Sequence, residues 1–282
     1  MISFFTVPKP FVGSTGQRQR NAIGSWRTVV PGAQLLLCGD ETGTDAVARE
    51  FGAEQLSDVR RSPHGVPLLD DVFRQAQEAA RHDVLCFLNT DIILRGDTAV
   101  LQRLPAPFLV IGESLDVEVK HRVQDDDSAW RASFGTAGRS RGPLAIDYFF
   151  FSRGLFGNIP PFAIGRARFD NWLIWRALRC GAMVVDGTEA LQAIHQRHSY
   201  DHLKGGRHEA YRGADARRNQ ELAGVWCYLH LYSILDARWR LTPGGTERIP
   251  RRSTFLRQLR LRGAAFLAEH ARRAPAGQSV SE

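Results

Sequence analysis

The carboxylate of Asp91 follows five apolar residues, VLCFL at 84–88, in the segment Asn89-Thr90-Asp91. Such a run is the mark of a strand buried on both faces of a parallel sheet. The polar residue behind it emerges at the carboxyl end of the sheet, where open α/β sheets bind ligands. A carboxylate there can hold a hard divalent cation, Mg2+ or Mn2+, with phosphate oxygens completing the shell. The competing use is a turn-forming Asp. Two further strand ends carry polar groups: Pro8 to Gln19 behind ISFFTV, and Asp40 behind AQLLLC. Between Ile194 and His202 lie three of the nine histidines, His195, His198 and His202. Neutral imidazole ligates divalent cations, so His195 and His198 are candidate ligands; phosphate contact or plain surface polarity is the alternative. Asp170 heads the apolar helix pattern DNWLIWRAL, where an Asp caps a helix and complements its dipole. No GxxxxGK[ST], GxSxG or HExxH is present, which argues against a P-loop ATPase, a serine hydrolase and a zinc protease.

The elements that must position these groups follow from the hydrophobic pattern. Strands are expected at 2–7, 33–38, weakly at 54–59, and at 84–88, the last running on into Ile92-Ile93-Leu94. Helices are expected at 17–30, at 45–51 and from Leu68 to Ala80. This alternation with short connections is that of an α/β parallel sheet. In the second half, strands are expected at 108–112, 146–151 and 182–186, and helices at 170–180 and 215–237. The intervening 116–143, with Asp125-Asp126-Asp127, reads as a long loop, in which Arg122, Arg139 and Arg141 could close on an anion.

Composition sets limits. Of 282 residues, 43% are hydrophobic and 24% charged, as in ordinary globular proteins. No apolar run approaches the roughly 20 residues that span a bilayer, and MISFFTVPKP reads as a first strand rather than a signal peptide. Cys38, Cys86, Cys180 and Cys227 form no CxxC pair, which points to a reducing, cytoplasmic setting. The formal charge of +7 is concentrated: residues 238–273 hold ten arginines against Glu247 and Glu269, so the rest of the chain is close to neutral. A nucleic-acid partner is therefore not expected.

The order strand–helix–strand–GDETGT–helix–strand–helix–FLNTDIIL resembles the glycosyltransferases of the A fold, in particular the broad family-two-like group. The segments FVGSTGQRQRNAIGSW, PLLDDVF and PPFAIGRARFDNWLIWRA are similar to a subset of that superfamily, and the likeness covers about residues 1–235. The resemblance implies a mostly parallel α/β sheet flanked by helices, Rossmann-like, over 1–237. Its donor half would be 1–115 and its acceptor half 116–237, followed by a basic helical tail at 238–282. It implies a nucleotide-sugar donor, a UDP-sugar, bound by Pro8, Asp40, Asn89 and Asp91. Asp40 would contact the base, and Asn89-Thr90-Asp91 would stand where the family's DxD motif stands. Asp91 with His195 or His198 would hold Mn2+ or Mg2+, and Asp170 would deprotonate the acceptor hydroxyl, giving inversion. The acceptor would be a glycan or lipid-linked glycan. The sequence departs from the pattern at Asn89, which replaces the first Asp of DxD and removes one negative charge.

Two other functions remain open at this stage. One is a non-catalytic nucleotide-sugar or glycan-binding protein, and the other a sugar-phosphate nucleotidyltransferase, whose Gly-rich basic signature PKPFVGSTGQRQR lacks. In 251–273, Phe255, Leu256, Leu259, Phe266 and Leu267 recur among arginines at helical spacing. Such a helix lies peripherally on the inner face of an anionic membrane, or packs on the domain or on a second copy in a homo-oligomer.

Overall fold

The computed structural model describes residues 1–119, 138–198, 206–242 and 244–250. Its first half alternates β1 (Ile2–Thr6), α1 (Gly13–Val29), β2 (Gln34–Cys38), α2 (Thr44–Phe51), β3 (Glu54–Leu56), α3 (Leu69–Ala79) and β4 (Val84–Leu88). There follow β5 (Ile92–Gly96), β6 (Phe108–Val117), β7 (Arg139–Ser140) and β8 (Ile146–Ser152). The second half continues with α4 (Phe169–Arg179), β9 (Met183–Asp186), β10 (Leu191–Gln196), α5 (Gly206–Arg212), α6 (Ala214–Leu229), β11 (Trp239–Thr242) and β12 (Gly245–Arg248).

The strands form one 12-stranded sheet whose main path runs β12-β11-β9-β6-β8-β4-β1-β2-β3. Along that path β8 runs antiparallel to both β4 and β6, and β12 antiparallel to β11; the remaining pairs are parallel. Off the path, β10 lies parallel to the end of β6 and antiparallel to β5. The expected α/β architecture is thus present, with one antiparallel strand set into its middle.

Central strands show no polar alternation because both faces are covered. In β1, Phe4 packs under α1, stacked at 6.0 Å on Trp26, while Phe5 turns to the other face and meets Phe73 of α3 edge-on at 4.9 Å. In β8, Tyr148 and Phe150 join the first core, and Phe149 and Phe151 the second. The side chains of α3 and α4 roof the second core.

Several boundaries differ from those expected. α1 starts at Gly13, ahead of the expected 17, because Gly16 brings the helix against the Phe11 carbonyl: a Cβ at Gly16 would lie 2.6 Å from it. β6 runs on to Val117 and β7 pairs with it, so the ends of the expected 116–143 loop belong to the sheet. Gly224, at φ 73°, kinks α6, which ends at Leu229 rather than near 237. The expected division at 237/238 falls inside the fold. β11 adds to β9, burying Leu241, while Arg240 pairs with Glu189 at 3.3 Å and the Arg248 guanidinium covers the Trp239 ring at 6.0 Å. Arg240 thus sits on a strand paired on both sides and Arg248 on the edge strand β12, where charge is a common guard against edge pairing. Arg122, Asp125 to Asp127, His202 and the 251–273 segment lie outside the described residues. Among the described residues no helix is long and apolar enough to cross a membrane.

Candidate active site

The chain passes from β1 to β2 and β3 on one side, then returns to place β4 on the other side of β1. The sheet therefore has its topological switch between β1 and β4, the place where such sheets open a crevice at their carboxyl ends. Two threonines close this junction. Thr6 Oγ1 donates to the Leu88 carbonyl at 2.7 Å, and the Thr90 hydroxyl lies 2.8 Å from Thr6 Oγ1 and 3.0 Å from the Val7 carbonyl, either of which can accept its proton. Pro8 is buried directly behind β1. The Gln19 side chain clamps Lys9, accepting from its N–H at 2.7 Å and donating to its carbonyl at 2.8 Å.

Asp91 follows the tight turn behind β4, and β10 brings two imidazoles to it. His198 Nε2 lies 2.9 Å and His195 Nε2 3.9 Å from Asp91 Oδ2. One donor atom from each of the three residues lies within 4.8 Å of the others. The second nitrogen of His195 is 2.7 Å from Asp116 Oδ1 of β6, a carboxylate–imidazole pair of the kind that orients metal ligands. Gln196, fully buried, fixes β10 by donating to the carbonyls of Asp91 at 3.0 Å and Arg18 at 2.8 Å while accepting from Asn21.

Burial alone would raise the Asp91 pKa, but the hydrogen bond to His198 and the charges of Lys9, His195 and His198 outweigh it. They hold this carboxyl well below the ordinary carboxylate range. Asp116 is also held low against the opposing effect of burial, chiefly by His195, with Arg141 and Arg197 assisting. Asp91 Oδ1 is buried and has no hydrogen-bond partner among the described residues. A carboxylate oxygen left in that state costs roughly 1–3 kcal/mol. One carboxylate, two imidazoles and an orphaned anionic oxygen fit a divalent cation. The mixed donor set suits Mn2+ better than the all-oxygen preference of Mg2+.

Asn89 does not join this cluster. Its amide donates at 3.0 Å to Asp147 Oδ1 of β8, whose Oδ2 accepts from Ser114 at 2.5 Å and pairs with Arg141. Asp40, two strands from β4 and so about 10 Å across the sheet edge, is exposed; Arg61 bridges it at 2.8 Å and Glu41 at 3.0 Å.

Asp170 is not the helix cap. Arg168 occupies that position at φ 90°, and Asp170 sits in the first turn of α4. A left-handed backbone at a long side chain costs about 1–3 kcal/mol. The Asp170 carboxyl is partly accessible, and its Oδ1 accepts from the Asn171 N–H at 2.8 Å. Desolvation lifts its pKa to about 6 in spite of that bond and of the nearby Arg168 charge, with Asp147 adding a push in the same direction. Arg166 Nε and Arg168 Nη1 are buried without a hydrogen-bond partner among the described residues.

Sequence reasoning picked out Asp91, His195 and His198, and these do come together. It passed over Asp116, Asp147 and Gln196. The alternation in FLVIGESLDV, carried past Gly112, was the signal that could have placed Asp116 on a strand beside the cluster.

No protein-family model and no curated protein matches the sequence. Solved structures with a similar course of the chain include glucosyl-3-phosphoglycerate synthase from Mycobacterium tuberculosis. In complex with Mn2+, UDP and phosphoglyceric acid it is 18% identical over 80% of this chain and 79% of that one, with a TM-score of 0.43. The same enzyme with Mg2+ and UDP is 18% identical over 89% and 87%, with a TM-score of 0.45. TarS from S. aureus is 10% identical over 44% of this chain and 23% of that chain, with a TM-score of 0.33.

Proposed function

We propose that this chain is a cation-dependent glycosyltransferase that moves a sugar from a nucleoside diphosphate, UDP, to an acceptor hydroxyl with inversion. The observation that carries the reading is the Asp91–His195–His198 cluster, with its orphaned carboxylate oxygen, at the switch point of an α/β sheet. Asp91, His195 and His198 would hold Mn2+ or Mg2+, and the bound cation supplies neutralisation of charge on the departing diphosphate. Lys9, whose backbone is held by Gln19 and whose charge is felt at Asp91, adds a positive charge at the same place. Asp40 lies far enough along the sheet edge to meet the base of the nucleotide.

Asp170 takes the proton of the acceptor hydroxyl. The acceptor oxygen bonds to the anomeric carbon as the bond from that carbon to the phosphate oxygen breaks, and the nucleoside diphosphate leaves with the electron pair. A carboxyl with a pKa of about 6 is ionised at neutral pH yet basic enough to accept a proton. Asn89, given over to Asp147, would act on the donor only through that network. The acceptor is read as a glycan or lipid-linked glycan on the cytoplasmic side.

Thermal unfolding of the full-length protein with UDP, with Mn2+, and with both tests the reading, together with release of UDP from UDP-glucose and UDP-galactose. A stabilisation that needs both components, and slow UDP release abolished by Asp91→Ala, is expected. Absence of any joint stabilisation, or full UDP release by Asp91→Ala, overturns it.

A further inference from the structure

Within the proposed transferase reading, the segment that enters α4 carries a second kind of information. Arg166 and Arg168 each bury a guanidinium nitrogen, Nε and Nη1, that meets no acceptor among the described residues. Guanidinium stays protonated at any physiological pH, so these donors cannot be relieved by losing a proton. The backbone that carries them is held in place. The Ala167 N–H donates to the Ala210 carbonyl of α5 at 3.1 Å, and the buried Asn219 side chain of α6 grips the carbonyls of Ala163 at 2.9 Å and Ala167 at 3.2 Å. The backbone holds Arg168 at φ 90° inside this clamp, a conformation that a glycine would take without strain. Strain kept at a non-glycine residue marks a side chain that the site needs. Here that side chain is close enough to Asp170 and Cys227 for its charge to be felt by both.

We infer that the acceptor hydroxyl is presented to Asp170 by a molecule bearing a phosphate or carboxylate group, which Arg168 and Arg166 bind. The guanidinium fork matches the geometry of both anions, and the partial positive charge of the α4 N-terminus adds to the attraction. The anion belongs to the acceptor because it lies beside Asp170. The diphosphate of the donor has its own cationic place at Asp91 and Lys9.

The test uses the full-length protein, with inorganic phosphate and glycerol 3-phosphate as soluble probes and vesicles of phosphatidylcholine with or without phosphatidic acid as lipid probes. Arg168→Gly removes the guanidinium and relaxes the backbone, and Arg166→Gln keeps a polar side chain; circular dichroism confirms that each folds. Wild-type protein is expected to bind the soluble probe or the phosphatidic acid vesicles. Arg168→Gly should weaken that binding at least tenfold and Arg166→Gln severalfold, with UDP–Mn2+ affinity within twofold of wild type. Soluble binding alone assigns a small acceptor, and vesicle binding lost with Arg168 assigns a lipid phosphate. No anion binding, binding indifferent to both variants, or an equal loss of UDP–Mn2+ affinity overturns the inference. If anion binding depends on Arg168 while UDP–Mn2+ does not bind at all, the transferase reading fails and the anion site stands.

Discussion

Asp91 and Asp170 are both desolvated carboxyls, and their surroundings push them in opposite directions. At Asp91 the imidazoles and Lys9 prevail over burial, so the ionised form is favoured and ready for a cation. Mn2+ at a hundred times its Kd should stabilise the wild-type protein by about 3 kcal/mol, and calorimetry should find none of this gain in Asp91→Ala. At Asp170 desolvation prevails and the pKa rises to about 6. The folded state then binds a proton that the unfolded chain has already released between about pH 4 and 6. Stability due to this group is therefore full below about pH 4 and declines as pH rises to about 6. Asp170→Asn should be about 2 kcal/mol more stable than wild type at pH 7.5 and no more stable at pH 4, as read by thermal or urea unfolding. The same variant should lose at least about 100-fold in kcat, together with the limb of the pH–rate profile near pH 6.

The strand β10 is the element on which the cluster depends, since it delivers His195 and is pinned by Gln196 to the turn at Asp91. Asp116, at the end of β6, orients His195 from behind. Asp116→Asn should weaken Mn2+ binding by about 10–100-fold in isothermal titration without changing the unfolding midpoint of the metal-free protein by more than a degree or two. This support was not legible in the sequence. LQAIHQ mixes small and polar residues and offers no strand signal beside its histidine, because a strand in the angle between two others does not alternate cleanly. The β-strand and α-helix alternation of the first half was legible, since buried parallel strands read as unbroken apolar runs. The junction of β11 with the sheet was not, since arginines on the last two strands look like a charged tail when only charge is counted. Gly112 shows a similar limit: a Cβ there would overlap the Tyr148 hydroxyl, which donates to the Leu191 carbonyl at 3.1 Å. Gly112→Ala should cost about 1–3 kcal/mol by urea unfolding, although no local turn signal singles the residue out.

Across the whole molecule, two aromatic-rich cores lie on either face of one sheet, in which the antiparallel β8 joins β4 to β6. The arginines at 238, 240 and 248 belong to this body, so the basic character left to 251–273 is smaller than the sequence count from 238 implies. The cluster joins residues far apart in the chain: Asp91 is held at one end of β4 and its imidazole partners arrive 104 and 107 residues later. A ribosome adding about 5–20 residues per second exposes Asp91 several seconds before His195 and His198 exist. During that interval β1 to β4 can pair and pack, but Asp91 has neither its hydrogen bond to His198 nor a complete donor set. Capture of a cation would thereby be deferred until β10 has docked between β5 and β6, which would make metal uptake a reporter of that docking rather than of the first half of the sheet. In refolding experiments, the fluorescence or magnetic signal of bound Mn2+ should lag behind the recovery of helical circular dichroism.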